Sequence, residues 1–306
     1  MFVGVDVSSR WLDVALPDGE VIRVDNPAGV ARLLQLVPPG AVVGFEATST
    51  YYRPAAYALH QAGFQVYLLN PQAVKSYARS LLRRAKTDKA DARFIARYLA
   101  ERQADLTPYE PFADSLALVA FLVRFVDALT ADRVGVLNRL HAWEYVVPGI
   151  ADVVREVPTT LASLRSRFLG EALRVVQRDP LLSSWLSALV SLPGVGELTA
   201  LKILAYSGDM RRFRYARAYA AYTGLTPRIY QSGVASERAS ISRVGPSRLR
   251  ACYFMAAVVA SRSSRRDFVE RMVARGKPKR VALVALAVRL ARAAWAVCVR
   301  EKFVSY

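Results

Sequence analysis

FVGVDVSSRWLDVALPDGEVIRV, residues 2–24, reads as three short strands in succession. Apolar residues dominate 2–7 and 11–16, and Asp18-Gly19 supplies a hairpin turn into a third strand at 21–24. Outward from this stretch the period switches back and forth between helix and strand. Residues 27–36 read as a helix, 41–47 (AVVGFEA) as a buried strand and 54–62 as a helix. Residues 65–70 (QVYLLN) are the next strand, followed by a helix at 72–84. A last strong helix at 88–102 sets Ala92, Ile95, Ala96 and Leu99 on one face. The order βββαβαβα predicts an α/β domain built on a mixed sheet.

Pro108 and Pro111 punctuate the end of that domain, giving boundaries of 1–110. Residues 111–190 carry Leu, Ala, Val and Arg at helical spacing and almost no strand signal. They predict a helical arm, an antiparallel coiled-coil-like pair turning near Pro148-Gly149, with Pro158 as a second break; such an arm is a spacer or an oligomerisation element. Residues 191–306 are mostly helical, with a polar segment at 231–245 and a loop around 276–278. The fold class is therefore α/β plus all-α.

The 306 residues are 53% hydrophobic, enough for a sizeable core, and carry a formal charge of +18. That charge is lopsided. Residues 1–190 hold 21 basic and 19 acidic residues, whereas 191–306 hold 22 and 6. A nearly neutral part joined to a strongly basic one suggests chemistry in the first and polyanion binding in the second. Cys252 and Cys298 are far apart among apolar residues, which excludes a disulfide scaffold or a thiolate zinc site and fits a reducing cytoplasm. Residues 281–297 are apolar, but Arg289 and Arg292 interrupt them at helical spacing, so a buried amphipathic helix is expected and no membrane partner.

Four acids stand out. Asp6 is the only charge in GVDVS, and Glu46 the only one in GFEATS, at the end of the fourth strand. Asp88 and Asp91 are three apart on a helix and so share a face. If the first and fourth strands are neighbours and the last helix packs beside them, these carboxylates converge. A cluster of like charges needs divalent cations, and oxygen-only donors select Mg²⁺ or Mn²⁺. Two such ions suit phosphodiester chemistry.

The pattern GVDVS…GFEATSTY…KTDKADARFIARY resembles the ribonuclease-H-like (RuvC-like) domain of the DEDD transposases of insertion sequences, the IS110 family. LPGVGELTALKILA and GLTPRIYQSG…ISRVGPSRLR are similar to that family's C-terminal transposase domain. The resemblance implies that Asp6, Glu46, Asp88 and Asp91 bind metal. It also implies a serine that attacks DNA and forms a phosphoserine link. Ser232 matches the family's Ser-Gly element and Ser236 is the fallback; Val234-Ala235 departs from the Gly-Lys often found there. A structured guide RNA and DNA as substrate are further implications, and because the acids and the serine are distant in sequence, an active site completed between subunits of a dimer or tetramer is expected.

LPGVG also reads from its residues as a helix-hairpin-helix turn, in which Gly194 and Gly196 let backbone amides approach a phosphate, or as a plain turn between helices. Arg238, Arg243, Arg248 and Arg250 surround the serines as phosphate contacts. Weaker candidates are Tyr51-Tyr52 beside Glu46, the basic run Arg79, Arg83, Arg84 and Lys86, and the basic stretch 262–280. His60 and His141 lack ligand spacing and read as packing residues. Two rival functions share some of these features. A RuvC-like nuclease or junction resolvase would need only the acids. An actin-like sugar kinase would also use GVDVS, but its second phosphate motif and adenosine loop are missing and the basic C-terminal part suits no small sugar.

Overall fold

The computed structural model describes residues 1–47, 50–81, 88–111, 114–228 and 240–299, with residues 88–90 described by backbone alone. The chain divides into two compact units, 1–111 and 112–306.

In the first unit, β1 (Phe2–Val7), β2 (Trp11–Ala15) and β3 (Val21–Asp25) form an antiparallel meander. Helix α1 (Val30–Leu36) leads to β4 (Val42–Glu46), and α2 (Arg53–Gln61) to β5 (Gln65–Leu69). Both crossovers return the chain parallel, so the sheet order is β3-β2-β1-β4-β5, with β1 and β4 adjacent as the sequence led us to expect. Helices α3 (Pro71–Ser80) and α4 (Asp88–Arg102) complete the unit. The strand read at 65–70 stops one residue early because the Asn70 side chain accepts from the Gln72 amide at 2.8 Å and caps α3.

Strand alternation gives the sheet two buried faces. Val3, Val5, Val43 and Phe45 pack with Leu33 of α1 and Ala55, Ala56 and Leu59 of α2. The opposite face packs against α4. There the backbone of α4 comes so close that a Cβ on Gly4 would lie 2.1 Å from the Ala92 carbonyl oxygen and 2.4 Å from the Ala96 nitrogen. Only glycine fits at that crossing.

The second unit is almost entirely helical. Helix α5 (Asp114–Glu144) and α7 (Glu156–Arg178) form the antiparallel pair, with the short α6 (Ile150–Val153) in the turn after Gly149. Pro158 is no break: it lies in the first turn of α7, where its missing N–H has no helical partner to lose. All the buried residues of α5 fall between Leu116 and Leu129, so its distal half makes no core. Helices α8 (Pro180–Val190), α9 (Glu197–Ser207), α10 (Ala216–Tyr222), α11 (Ser247–Ala260), α12 (Arg266–Ala274) and α13 (Lys279–Val299) follow. One hydrophobic core joins the root of α5 and the end of α7 to α8 through α13. Helix α13 is long and apolar enough to cross a bilayer, but its Ala282, Leu286, Leu290, Ala294 and Trp295 lie inside this core.

Buried polar groups in that core are satisfied. Ser207, Tyr219 and Tyr253 form a chain of hydroxyls with spacings of 2.6 and 2.7 Å. Burial pushes both tyrosines well above their ordinary range, so they stay protonated within this chain of hydroxyls. The two cysteines are ordinary core thiols: burial raises Cys252 to about 11 and Cys298 to about 12, which removes the thiolate that a nucleophile or a metal ligand needs.

Candidate active site

The β1–β4 register pairs Gly4 with Gly44 and Val5 with Phe45, so the next residues along the two strands are Asp6 and Glu46. A Cβ at Gly4 or Gly44 would point at α4, meeting Ala92 and Ala96 or Leu99 and Ile95. Two residues further on, Asp6 and Glu46 belong to the same face. Helix α4 crosses these strands, with Ala92 and Ala96 at Gly4 and Ile95 and Leu99 at Gly44. Phe2 and Val42, at the strand starts, pack against the cluster of Tyr67, Leu69, Val74, Ile95 and Leu99. The N-terminal turn of α4 carries Asp88 and Asp91.

Asp6 and Glu46 thus share one end of one sheet face, and Asp91 belongs to the helix that packs on that face. Asp6, Glu46 and Asp91 are half-buried, and one Asp6 oxygen accepts from the Val7 amide at 3.0 Å. Among the described residues no three His, Cys, Asp or Glu side chains are gathered closely enough to hold an ion; the Asp88 side chain lies outside that description. The donor chemistry is that of a hard divalent cation, since every candidate ligand is a carboxylate.

Sequence reasoning missed two supports of this region. Asp13 stands directly opposite Asp6 on β2 and is buried, yet it is committed elsewhere: Arg23 grips both of its oxygens, at 2.9 and 2.8 Å. That bidentate geometry separates a structural acid from the candidate ligands. Asn26 donates from its side chain to the Ser8 carbonyl at 2.8 Å and to the Tyr51 carbonyl at 3.1 Å, tying together the loops that follow β1 and β4. The Asp13–Arg23 cross-strand pairing was legible once the hairpin was placed; Asn26 gave no signal.

In the second unit, LPGVG (192–196) joins α8 to α9. Gly194 has φ +75°, and a Cβ there would meet the Ala256 carbonyl oxygen at 2.2 Å. Its absent side chain thus serves packing on α11. Gly196 has open space around it and begins α9. Of the arginines, Arg243 (φ +55°) and Arg248 are exposed, whereas Arg250 is half-buried and donates to the Thr223 carbonyl at 3.3 Å. Arg250 therefore has a share in holding the fold. Arg238, Ser232 and Ser236 lie outside the described residues, as do Arg83, Arg84 and Lys86. Two short strands, β6 (Pro227–Arg228) and β7 (Ser240–Ile241), pair antiparallel and hold together the ends of the segment containing the serines. His60 and His141 make edge contacts with Tyr109 and Tyr145, consistent with packing roles.

A transposase model of the IS110 DEDD type matches residues 3–143, and one described as the IS116/IS110/IS902 transposase family matches residues 186–273. The pilin gene-inverting protein of Moraxella bovis is 30% identical over 257 residues, covering 82% of this chain and 78% of that protein. The chain belongs to the IS110 family of DEDD transposases. Other members it resembles are the transposase for insertion sequence element IS1328 of Yersinia enterocolitica, 28% identical over 88% of this chain and 86% of that one, and the transposase for IS1111A of Coxiella burnetii, 27% identical over 78% and 73%. Membership makes this a DNA-recombining enzyme of the insertion-sequence and gene-inversion class, and its mixed sheet is consistent with the ribonuclease-H-like part of an IS110 transposase.

Proposed function

We propose that this IS110-family chain cuts and rejoins DNA with a carboxylate metal site and a serine nucleophile. The observation that carries the reading is the placing of Asp6 and Glu46 at matching ends of adjacent parallel strands, on the face that α4 covers. Asp6, Glu46, Asp88 and Asp91 would hold Mg²⁺ or Mn²⁺, which when bound neutralises charge on the reacting phosphodiester and the departing oxygen. Ser232, with Ser236 as the alternative, attacks phosphorus. Its oxygen forms a bond to phosphorus as one bridging P–O bond to a sugar breaks, and the serine proton ends on the departing sugar oxygen. One phosphodiester replaces another, so reversal reseals DNA without ATP. Arg243 and Arg248, exposed beside β7, supply charge for the phosphates.

The division at 110 and 190 assigns the acids to the first segment, the helical pair to the second and the serine with the helix-hairpin-helix turn to the third. The distal part of the pair favours self-association: Tyr145 is 83% and Val153 78% exposed, with Trp143 and Val146 also open to solvent. A guide RNA is the partner that the family resemblance implies, and the basic surplus of 191–306 accommodates it.

The test is incubation of the protein with RNA and DNA carrying the element ends in Mg²⁺. A covalent protein–DNA adduct is expected, absent in Ser232→Ala and in Asp6→Ala. Strand cleavage that persists without an adduct in Ser232→Ala would identify a metal-dependent nuclease instead. An adduct that persists in both Ser232→Ala and Ser236→Ala would place the nucleophile elsewhere.

A further inference from the structure

Away from the carboxylates and the serine segment, the second unit contains an open groove of about 760 Å³ between α10 and α13. This volume falls within the ~300–1,000 Å³ of small-ligand clefts. Its floor is made of alanines, among them Ala216 and Ala296, with the buried Trp295 beneath. The Trp295 ring is fixed, since its Nε1 donates to the Met210 carbonyl at 3.1 Å. At the rim stand Tyr215, 53% exposed, and the exposed guanidiniums of Arg217 and Arg292.

The neighbouring arginines show why this rim differs. Arg211 is paired with Asp209 at 2.6 Å. Arg212 lies over the rings of Phe213 and Tyr222 and donates to the Ser207 carbonyl at 3.0 Å. Both are engaged in holding the fold. Arg217 and Arg292 have no acidic partner among the described residues, and the Tyr215 ring has no aromatic neighbour there. An open aromatic face flanked by two cations over a floor of small residues fits a planar ring that carries negative charge. A duplex hides its base faces in the stack, so the matching chemistry is an exposed base with its phosphate.

We infer that the groove binds an unpaired nucleotide of a single-stranded nucleic-acid segment, its base stacked on Tyr215 and its phosphates held by Arg217 and Arg292. The inference rests on the nucleic-acid reading above and adds a site to it. RNA and DNA share this chemistry, and the experiment separates them.

Fluorescently labelled single-stranded RNA, single-stranded DNA and duplex DNA of one mixed sequence are titrated with the full-length protein, and binding is read by anisotropy over a series of salt concentrations. Tyr215→Ala should weaken single-strand binding by about five- to a hundredfold, the range for losing one base–aromatic stack, and leave duplex binding unchanged. Tyr215→Phe should restore it. Arg217→Ala and Arg292→Ala should each lower the salt slope for single strands by about one. Loss confined to the RNA arm identifies the occupant as RNA, and loss confined to the DNA arm as a displaced DNA strand. Unchanged single-strand binding in Tyr215→Ala, or an equal loss for duplex, would overturn the inference. The adduct assay is independent: an absent adduct with a working groove would sink the catalytic reading alone.

Discussion

The two units each hold one buried acid against a cation, Asp127 in the second and Asp13 in the first, and the first unit adds a pair of half-buried acids on adjacent strands. In the second, Asp127 lies inside α5 and is neutralised on the spot: Lys202 Nζ stands 2.5 Å from one oxygen and the Tyr206 hydroxyl donates to the other at 2.7 Å. Burial, together with that carboxylate, raises Tyr206 far above its ordinary range and keeps it a donor. In the first, Asp6 and Glu46 stand at matching positions on the neighbouring strands β1 and β4, on one face of the sheet. A lone acid met by a cation is a structural solution. Acids set side by side on adjacent strands make sense when an ion is meant to join them, which is the role proposed for Asp6 and Glu46.

The largest effect expected from this contrast is on catalysis. Asp6→Asn removes charge without changing shape and should lower adduct formation by about a thousandfold, the scale for losing a group that stabilises transition-state charge. Its thermal unfolding midpoint should stay near that of the parent. Full activity in the Asp6→Asn protein would undo the contrast. In the second unit the converse holds. Lys202→Met strands the buried Asp127 carboxylate and should cost about 2–4 kcal/mol in urea unfolding, below the fully buried limit because Lys202 is partly exposed. Arg23→Met applies the same logic to Asp13 in the first unit.

The two glycines of the LPGVG turn separate packing from binding. Gly194→Ala must push a methyl into the Ala256 carbonyl and should destabilise by about 2–3 kcal/mol, whereas Gly196→Ala enters open space and should cost under ~1 kcal/mol. If Gly196→Ala weakens DNA binding at unchanged stability, the turn touches phosphate. The smallest effect is on pH dependence. Burial raises Asp179, but hydrogen bonds from Ser115 and from the Leu182 and Leu181 amides outweigh it, and its carboxyl titrates below the ordinary range. Its stabilising contribution is therefore complete above the unfolded value near 4 and is lost as pH falls through the lower folded value. Asp179→Ala should remove about 1 kcal/mol at neutral pH, the worth of a helix cap, and flatten the acid limb of the stability curve.

Much of this was legible beforehand, for physical reasons. The hairpin turn at Asp18-Gly19 and the period-two strands determined the meander and left Asp6 and Glu46 at strand ends, because side-chain alternation and register follow from local pattern. The roles of Gly194 and Arg250 were not legible, since each depends on a contact with a residue far along the chain: Ala256 in one case, Thr223 in the other. Pro158 misled for the opposite reason. Its position relative to the start of α7, and not its presence, decides whether it interrupts a helix.

Helix α5 is an unbroken rod of 31 residues, about 46 Å from end to end, anchored only in its lower half. Each residue inserted or deleted beyond Leu129 would turn everything distal to it by about 100° and shift it by about 1.5 Å. The tip is therefore phase-locked to the core. Relatives whose arms differ in length would be expected to differ by whole heptads, because only then does the same stripe still meet α7 and the same tip face still point the same way.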